Sequence, residues 1–260
     1  MPLDPFQSRE VFHLAFLRSL SRAVPPSSFV LKGGSNLRFF FGSVRYSEDM
    51  DLDLARIPVH LLQDKVMAIL ASPHFGETLR TYGVERVQAP DISTQKQTST
   101  VQRFKVHLHT TGGLDLFTKV EFSRRGLEAP CRAEPVSADV LSRYKMASLI
   151  VPHYEAEAAT RQKIHALHAR NEPQARDVFD LFTLRSHSEG VAGAVVRSFT
   201  AEQLNEARER VFSISYEEYR SKVIDYLDGE DQLAFASPDV WDAIRLHAVG
   251  LLEMGMAGDA

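Results

Sequence analysis

The chain has 260 residues, 44% hydrophobic and 25% charged, enough to bury a full core in one large or two small domains. Its formal charge of −4 excludes broad, nonspecific coating of nucleic acid but leaves room for a local basic groove. The single cysteine, Cys131, excludes an intramolecular disulfide framework and a cysteine zinc cluster; no apolar run reaches the ~18 residues of a membrane span and the N-terminus lacks a signal-like apolar core, so the expected setting is the cytoplasm.

In chain order, Phe6 to Ala23 reads as an amphipathic helix through Phe6, Val11, Phe12, Leu14, Leu17 and Leu20, ended by Pro25-Pro26. Phe29-Val30-Leu31 predicts a short buried strand, and Gly33-Gly34-Ser35 a tight turn into a helix carrying Leu37, Phe40 and Phe41. Free N–H groups at such a helix start attract phosphate. No Gly-Lys-Ser/Thr follows, so the turn is not a Walker A loop.

The next stretch is acidic. Met50, Leu52 and Leu54 fall on alternate positions, the signature of a half-buried strand, which puts Asp49, Asp51 and Asp53 together on its other face. Carboxylates spaced by two repel one another unless a cation sits among them, and they suit a hard ion such as Mg²⁺. A calcium loop is excluded, because its glycine and glutamate positions hold Leu54 and His60. The bland alternative is a solvated strand edge decorated with acids.

Pro58 to Ala71 reads as a helix, Glu85-Arg86-Val87 has no clear pattern, and Asp91 to Thr100 is polar enough for an exposed loop. Val101 to Thr110 alternates, with Phe104, Val106 and Leu108 facing the core, and Gly112-Gly113 turns it into a returning strand from Leu114 to Ser123. On that strand Phe117, Lys119, Glu121 and Ser123 share one face, which makes Glu121 a candidate third carboxylate and Lys119 its neighbour.

Residues 126–138 read as a linker into a helical second half. Glu155 to Ala169 and Gln174 to Leu184 are expected helices, broken by Asn171-Glu172-Pro173; the second carries Asp177 and Asp180 at i and i+3, on one face. Residues 201–260 read as helical throughout, without a chemical motif. The expected fold is α+β: residues 1–130 forming an α/β domain with a small mixed or antiparallel sheet flanked by helices, residues 131–260 a helical bundle that completes a substrate groove.

Leu31-Lys32-Gly33-Gly34-Ser35-x-Leu37-Arg38, then Arg45-x-Ser47-Glu48-Asp49-x-Asp51, Lys119-Val120-Glu121, Lys163-x-x-Ala166-Leu167-x-x-Arg170 and Arg176-Asp177-x-x-Asp180 together resemble the AbiEii/AbiGii toxin family of nucleotidyltransferases, relatives of the DNA polymerase β superfamily. The resemblance covers about residues 28–185; Ser35 stands where threonine is common, and Asn36 where a small apolar residue is common. It implies a nucleotidyltransferase-type N-terminal domain and an NTP-dependent enzyme. Asp49, Asp51 and Glu121 would hold Mg²⁺, two ions in all, with Lys163 neutralising phosphate as a fourth catalytic residue. Lys32, Gly33, Gly34, Ser35 and Arg38 would bind the nucleotide, with Lys119, Asp177 and Asp180 in support and Asp53 without a direct role.

The resemblance further implies an RNA acceptor, with tRNA first, and the toxin half of a bacterial toxin–antitoxin or phage-defence (abortive infection) pair whose antitoxin is encoded nearby. Two alternatives stand beside it: a regulatory protein that binds nucleotide without turnover, and transfer to a small-molecule or protein hydroxyl.

Overall fold

The computed structural model describes residues 3–188 and 190–254, so the end of the expected helical stretch, 255–260, lies outside the described residues. The chain divides into two compact units, the first running to Phe40 and again over Tyr46–His153, the second comprising Phe41–Arg45 and the chain from Tyr154 onward.

The first unit starts with α1 (Pro5–Ala23), whose Asp4 side chain accepts the Gln7 N–H while the Gln7 side chain closes the cap in return. There follow β1 (Phe29–Lys32), α2 (Gly33–Phe40), β2 (Asp49–Leu54), α3 (Val59–Leu70), α4 (Pro73–Arg80), β3 (Val84–Gln88), β4 (Val101–Thr110), β5 (Asp115–Ser123), β6 (Cys131–Pro135), α5 (Ala138–Arg143) and β7 (Ile150–Tyr154). The strands form one mixed seven-stranded sheet in the order β3-β4-β5-β2-β1-β7-β6, with β2 parallel to β5 and antiparallel to β1.

Period-two patterning decides which face of each strand is buried. Met50, Leu52, Phe104, Val106, Val120 and Phe122 turn into a core shared with Phe12 and Phe16 of α1. Each such aromatic contributes roughly 1.5–3 kcal/mol by leaving water. Asp49, Asp51, Lys119 and Glu121 occupy the opposite face.

The sheet is larger than expected, and the linker placed at 126–138 is wrong: Cys131–Pro135 is an edge strand and Ile150–Tyr154 an inner one. Residues 131–153, expected in the helical half, therefore pack within the first unit. The polar stretch 91–100 holds a short 3₁₀ turn, Ile92–Thr94, and a bridge from Gln97 to Gln102.

The second unit consists of α6 (Ala156–Ala169), α7 (Ala175–Ser188), α8 (Ala192–Val196), α9 (Ala201–Ser213), α10 (Tyr216–Lys222), α11 (Gly229–Phe235) and α12 (Pro238–Glu253). Its core includes Ile164, Leu167, Phe179, Val211 and Leu252, with Tyr219 stacked on Trp241 at a centroid distance of 4.3 Å. Among the described residues no helix is long and apolar enough to cross a membrane.

Candidate active site

The turn after β1 lies against the acidic strand. Gly33 has φ +69°, a left-handed conformation that side chains resist, and a β-carbon there would stand 2.9 Å from Asp51 Oδ2. The backbone conformation is what calls for glycine, while the contact means that a side chain here would displace the Asp51 carboxylate. The N–H groups that open α2 have no partner inside the helix, as at any helix start. Ser35 is buried, and its hydroxyl donates to the Asp49 carbonyl at 3.2 Å; the Ser47 hydroxyl donates to the same oxygen at 2.7 Å. These two bonds pin the start of β2 to the turn, so the Ser35 hydroxyl is spent on scaffold.

Parallel pairing of β2 with β5 sets Asp49 beside Lys119 and Asp51 beside Glu121. Segments about seventy residues apart thereby deliver three carboxylates to one face of the sheet. Lys119 Nζ lies 3.1 Å from Asp49 Oδ2 and 3.7 Å from Glu121 Oε2, and Arg103 Nε donates to Glu121 Oε2 at 2.5 Å. Lys32 is turned to Asp53 Oδ1, also at 2.5 Å. Burial pushes the Asp51 carboxyl above the usual carboxylate range; Lys119 and Lys32 oppose the shift while Glu121 and Asp49 add to it. Burial alone would lower the Lys119 ammonium, but Asp49, Asp51 and Glu121 together hold it above the ordinary lysine value.

The donor set suits a hard divalent ion: the side chains gathered on this face are carboxylates, and burial disfavours Asp51 as an uncompensated anion. Among the described residues, however, no three His, Cys, Asp or Glu side chains already stand in metal-holding geometry. The reason is visible in the ion pairs, where Lys119 bridges two of the acids and Arg103 restrains the third. Binding an ion requires that these cations yield.

Two other expected residues serve the interior. Arg38 is buried, its Nε donating to Glu10 Oε1 at 2.7 Å and its guanidinium lying 4.0 Å above the Tyr46 ring, while Tyr144 donates to the other Glu10 oxygen. In the second unit Lys163 Nζ sits 3.0 Å from Asp177 Oδ1 and 2.6 Å from Asp180 Oδ2. Arg45 closes on Asp180 at 3.1 Å, and Arg170 on Asp177 at 3.3 Å. The i, i+3 spacing on α7 aims both aspartates at the same lysine of α6. Burial would raise the Asp180 carboxyl, but Arg45 and Lys163 outweigh it and leave it below the usual range.

Arg103 and Ser47 escaped the sequence reading. Arg103 could have been found in part: alternation puts it on the face opposite Phe104, Val106 and Leu108, but its place directly across from Glu121 depends on the three-residue loop Thr111–Gly113. The Ser47 hydroxyl depends on loop geometry and leaves no such signal.

Three solved structures share the architecture. MenT4, a nucleotidyltransferase toxin from Mycobacterium tuberculosis, is 18% identical with a TM-score of 0.68, over 96% of this chain and 84% of that one. JHP933 from Helicobacter pylori is 17% identical with a TM-score of 0.57, over 99% and 94%, and a Helicobacter pylori structure titled putative nucleotidyltransferase is 21% identical with a TM-score of 0.56, over 96% and 94%. No curated protein matches the chain by sequence. Residues 15–249 match the family described as nucleotidyl transferase AbiEii toxin, type IV toxin–antitoxin system. The chain therefore belongs to the AbiEii family of nucleotidyltransferase toxins.

Proposed function

We propose that this enzyme moves a nucleotide from an NTP to an RNA hydroxyl, with tRNA as the acceptor, in the cytoplasm, and that an antitoxin encoded nearby restrains it. The observation that carries the reading is the register of β2 against β5, which assembles Asp49, Asp51 and Glu121 beside the Gly33 turn. Asp49 and Asp51 would hold Mg²⁺, with Glu121 completing the oxygen set. Bound there, the metal would supply positive charge for the phosphates and the departing pyrophosphate.

The chain's own residues do the rest. Backbone N–H groups at the start of α2, from Gly33 and Gly34 onward, take the triphosphate, and Lys32 adds charge beside them. The acceptor oxygen bonds to the α-phosphorus as the bond to the β-phosphate breaks; pyrophosphate leaves, and the hydroxyl proton passes to a carboxylate of the set. Lys163 serves the core of the second unit rather than the phosphates, because two buried aspartates already use its charge.

The test is incubation with each labelled NTP, Mg²⁺ and total bacterial RNA. A labelled RNA band that disappears in Asp49→Asn plus Asp51→Asn is the expected result; a band that persists in the double variant overturns the assignment. The salt links of Lys119 and Arg103 to the acids favour one second reading, a nucleotide-binding protein without turnover. That reading predicts NTP binding by calorimetry with no product on any acceptor. Label appearing on a protein or small molecule would instead move the acceptor away from RNA, an outcome the net charge of −4 accommodates.

A further inference from the structure

A second site lies in the helical layer on the other face of the sheet. A cleft of about 280 Å³ opens between α1, α4 and residues 145–147, near the lower end of the ~300–1,000 Å³ span of small-molecule sites. Its lining includes Phe75, Tyr82 and Met146; Arg18, Arg22 and Lys145 contribute positive charge, and among the described residues no aspartate or glutamate lines it. In a chain of net charge −4, three cationic side chains around one hollow with no acid in its lining form a local field of one sign.

The basic groups differ in how they are held. Arg18 is fixed by the backbone, donating to the carbonyls of Ala147 at 2.5 Å and Ser148 at 3.2 Å. Arg22 and Lys145 are exposed and make no ion pair among the described residues. Lys145 has φ +51°, a left-handed conformation unfavourable for a side chain with a β-carbon, and strain of this kind persists where the surroundings impose it. Helix α1 meets the sheet through His13 and Thr118, on the face opposite Asp49, Asp51 and Glu121, so the cleft is separate from the acid cluster.

We propose that this cleft binds a phosphate-bearing ligand of mononucleotide size, its phosphate set between Arg22 and Lys145 and its flat apolar portion over Tyr82 and Met146. The two sources of that chemistry are a free nucleotide and a phosphorylated RNA end. The proposal does not depend on the role of the acids.

The test is calorimetric titration in EDTA with GTP, with a 5′-phosphorylated RNA dinucleotide and with the same dinucleotide lacking the phosphate. Wild type is expected to bind one or both phosphorylated probes, and the probe bound tighter identifies the source. Arg22→Gln plus Lys145→Gln, checked for native circular dichroism and melting, is expected to weaken that binding at least ~10-fold. The same affinity in the Arg22 and Lys145 double variant, equal binding of the unphosphorylated dinucleotide, or no binding by wild type up to ~1 mM overturns the proposal. If the double variant is misfolded, Tyr82→Ala with Lys145→Gln decides by the same criterion.

Discussion

The α-carbon of Gly33 faces the Asp51 carboxylate so closely that one added methyl group would stand 2.9 Å from Oδ2. The Gly33 turn and Asp51, an acid of the proposed metal set, are therefore packed together, and a side chain at position 33 would push on the carboxylate. Gly33→Ala should cost about 1–2 kcal/mol through the left-handed backbone alone. It should also displace Asp51, and a misplacement near 1 Å is worth roughly 10²-fold in rate. Urea unfolding and labelled-nucleotide incorporation check both numbers; near wild-type incorporation would show that the turn and the acid are not coupled.

Asp51 predicts a conflict between stability and activity. Its pKa is raised in the folded chain by burial first, with the neighbouring acids adding to this against the pull of Lys119 and Lys32. A carboxyl whose folded pKa exceeds its unfolded value contributes stability that is complete below the unfolded value of 3.8 and lost as pH rises through the folded value. At neutral pH, in EDTA, Asp51→Asn should therefore melt higher than wild type while losing nucleotide transfer. The advantage should shrink as pH falls toward ~4. Added Mg²⁺ should raise the wild-type melting point and leave the variant unmoved, since only a binding-competent site gains by mass action. An unstabilised Asp51→Asn in EDTA would show that Asp51 is not strained.

How much of this was legible in the sequence depended on burial. β2, β4 and β5 each bury one face, so alternation marked them and put Asp49, Asp51, Lys119 and Glu121 on the correct side. β6 is exposed at nearly every position, so its sequence carries no alternation and reads as a linker. Motif spacing brought out Lys163, Asp177 and Asp180 but could not say that they would close on one another in the interior. The resemblance assigns Arg38 to the nucleotide, whereas its partner is Glu10, twenty-eight residues earlier on α1. Long-range pairs of this kind are fixed by packing, which local pattern does not encode.

The Lys163 network carries a third prediction. Lys163→Met removes the cation shared by two fully buried aspartates, and breaking a buried ion pair on one side typically costs about 3–5 kcal/mol. A loss of that size in urea unfolding is expected, with activity falling only in step with the folded fraction. Asp180, held below the usual range, gives stability that is present above its unfolded value of 3.8 and lost as pH falls through the lower folded value, so the deficit should persist across neutral pH. A variant as stable as wild type but without turnover would return Lys163 to direct phosphate contact.

His13 ties α1 to the acidic strand and gives the last prediction. Its Nε2 lies 2.9 Å from Thr118 Oγ1, and Thr118 gives its single hydroxyl proton to the Glu48 carbonyl at 2.7 Å, just ahead of Asp49. Nε2 must then be the donor toward Thr118, as a neutral imidazole with Nδ1 bare. Burial, with Arg9 nearby, lowers the pKa from 6.5 to about 3, so at neutral pH the ring is uncharged. The unfolded chain takes up its proton below 6.5 and the folded chain only near 3. Stability from this residue is complete above the unfolded value and drains away as pH drops toward the folded one. His13→Gln keeps an N–H donor but does not titrate. Wild type should be the more stable of the two at pH ~7.5, with the gap narrowing steadily toward pH ~4.5. Parallel curves over that interval would mean that His13 is protonated or solvated in the folded protein, and the proton assignment for Thr118 and Glu48 would fall with it.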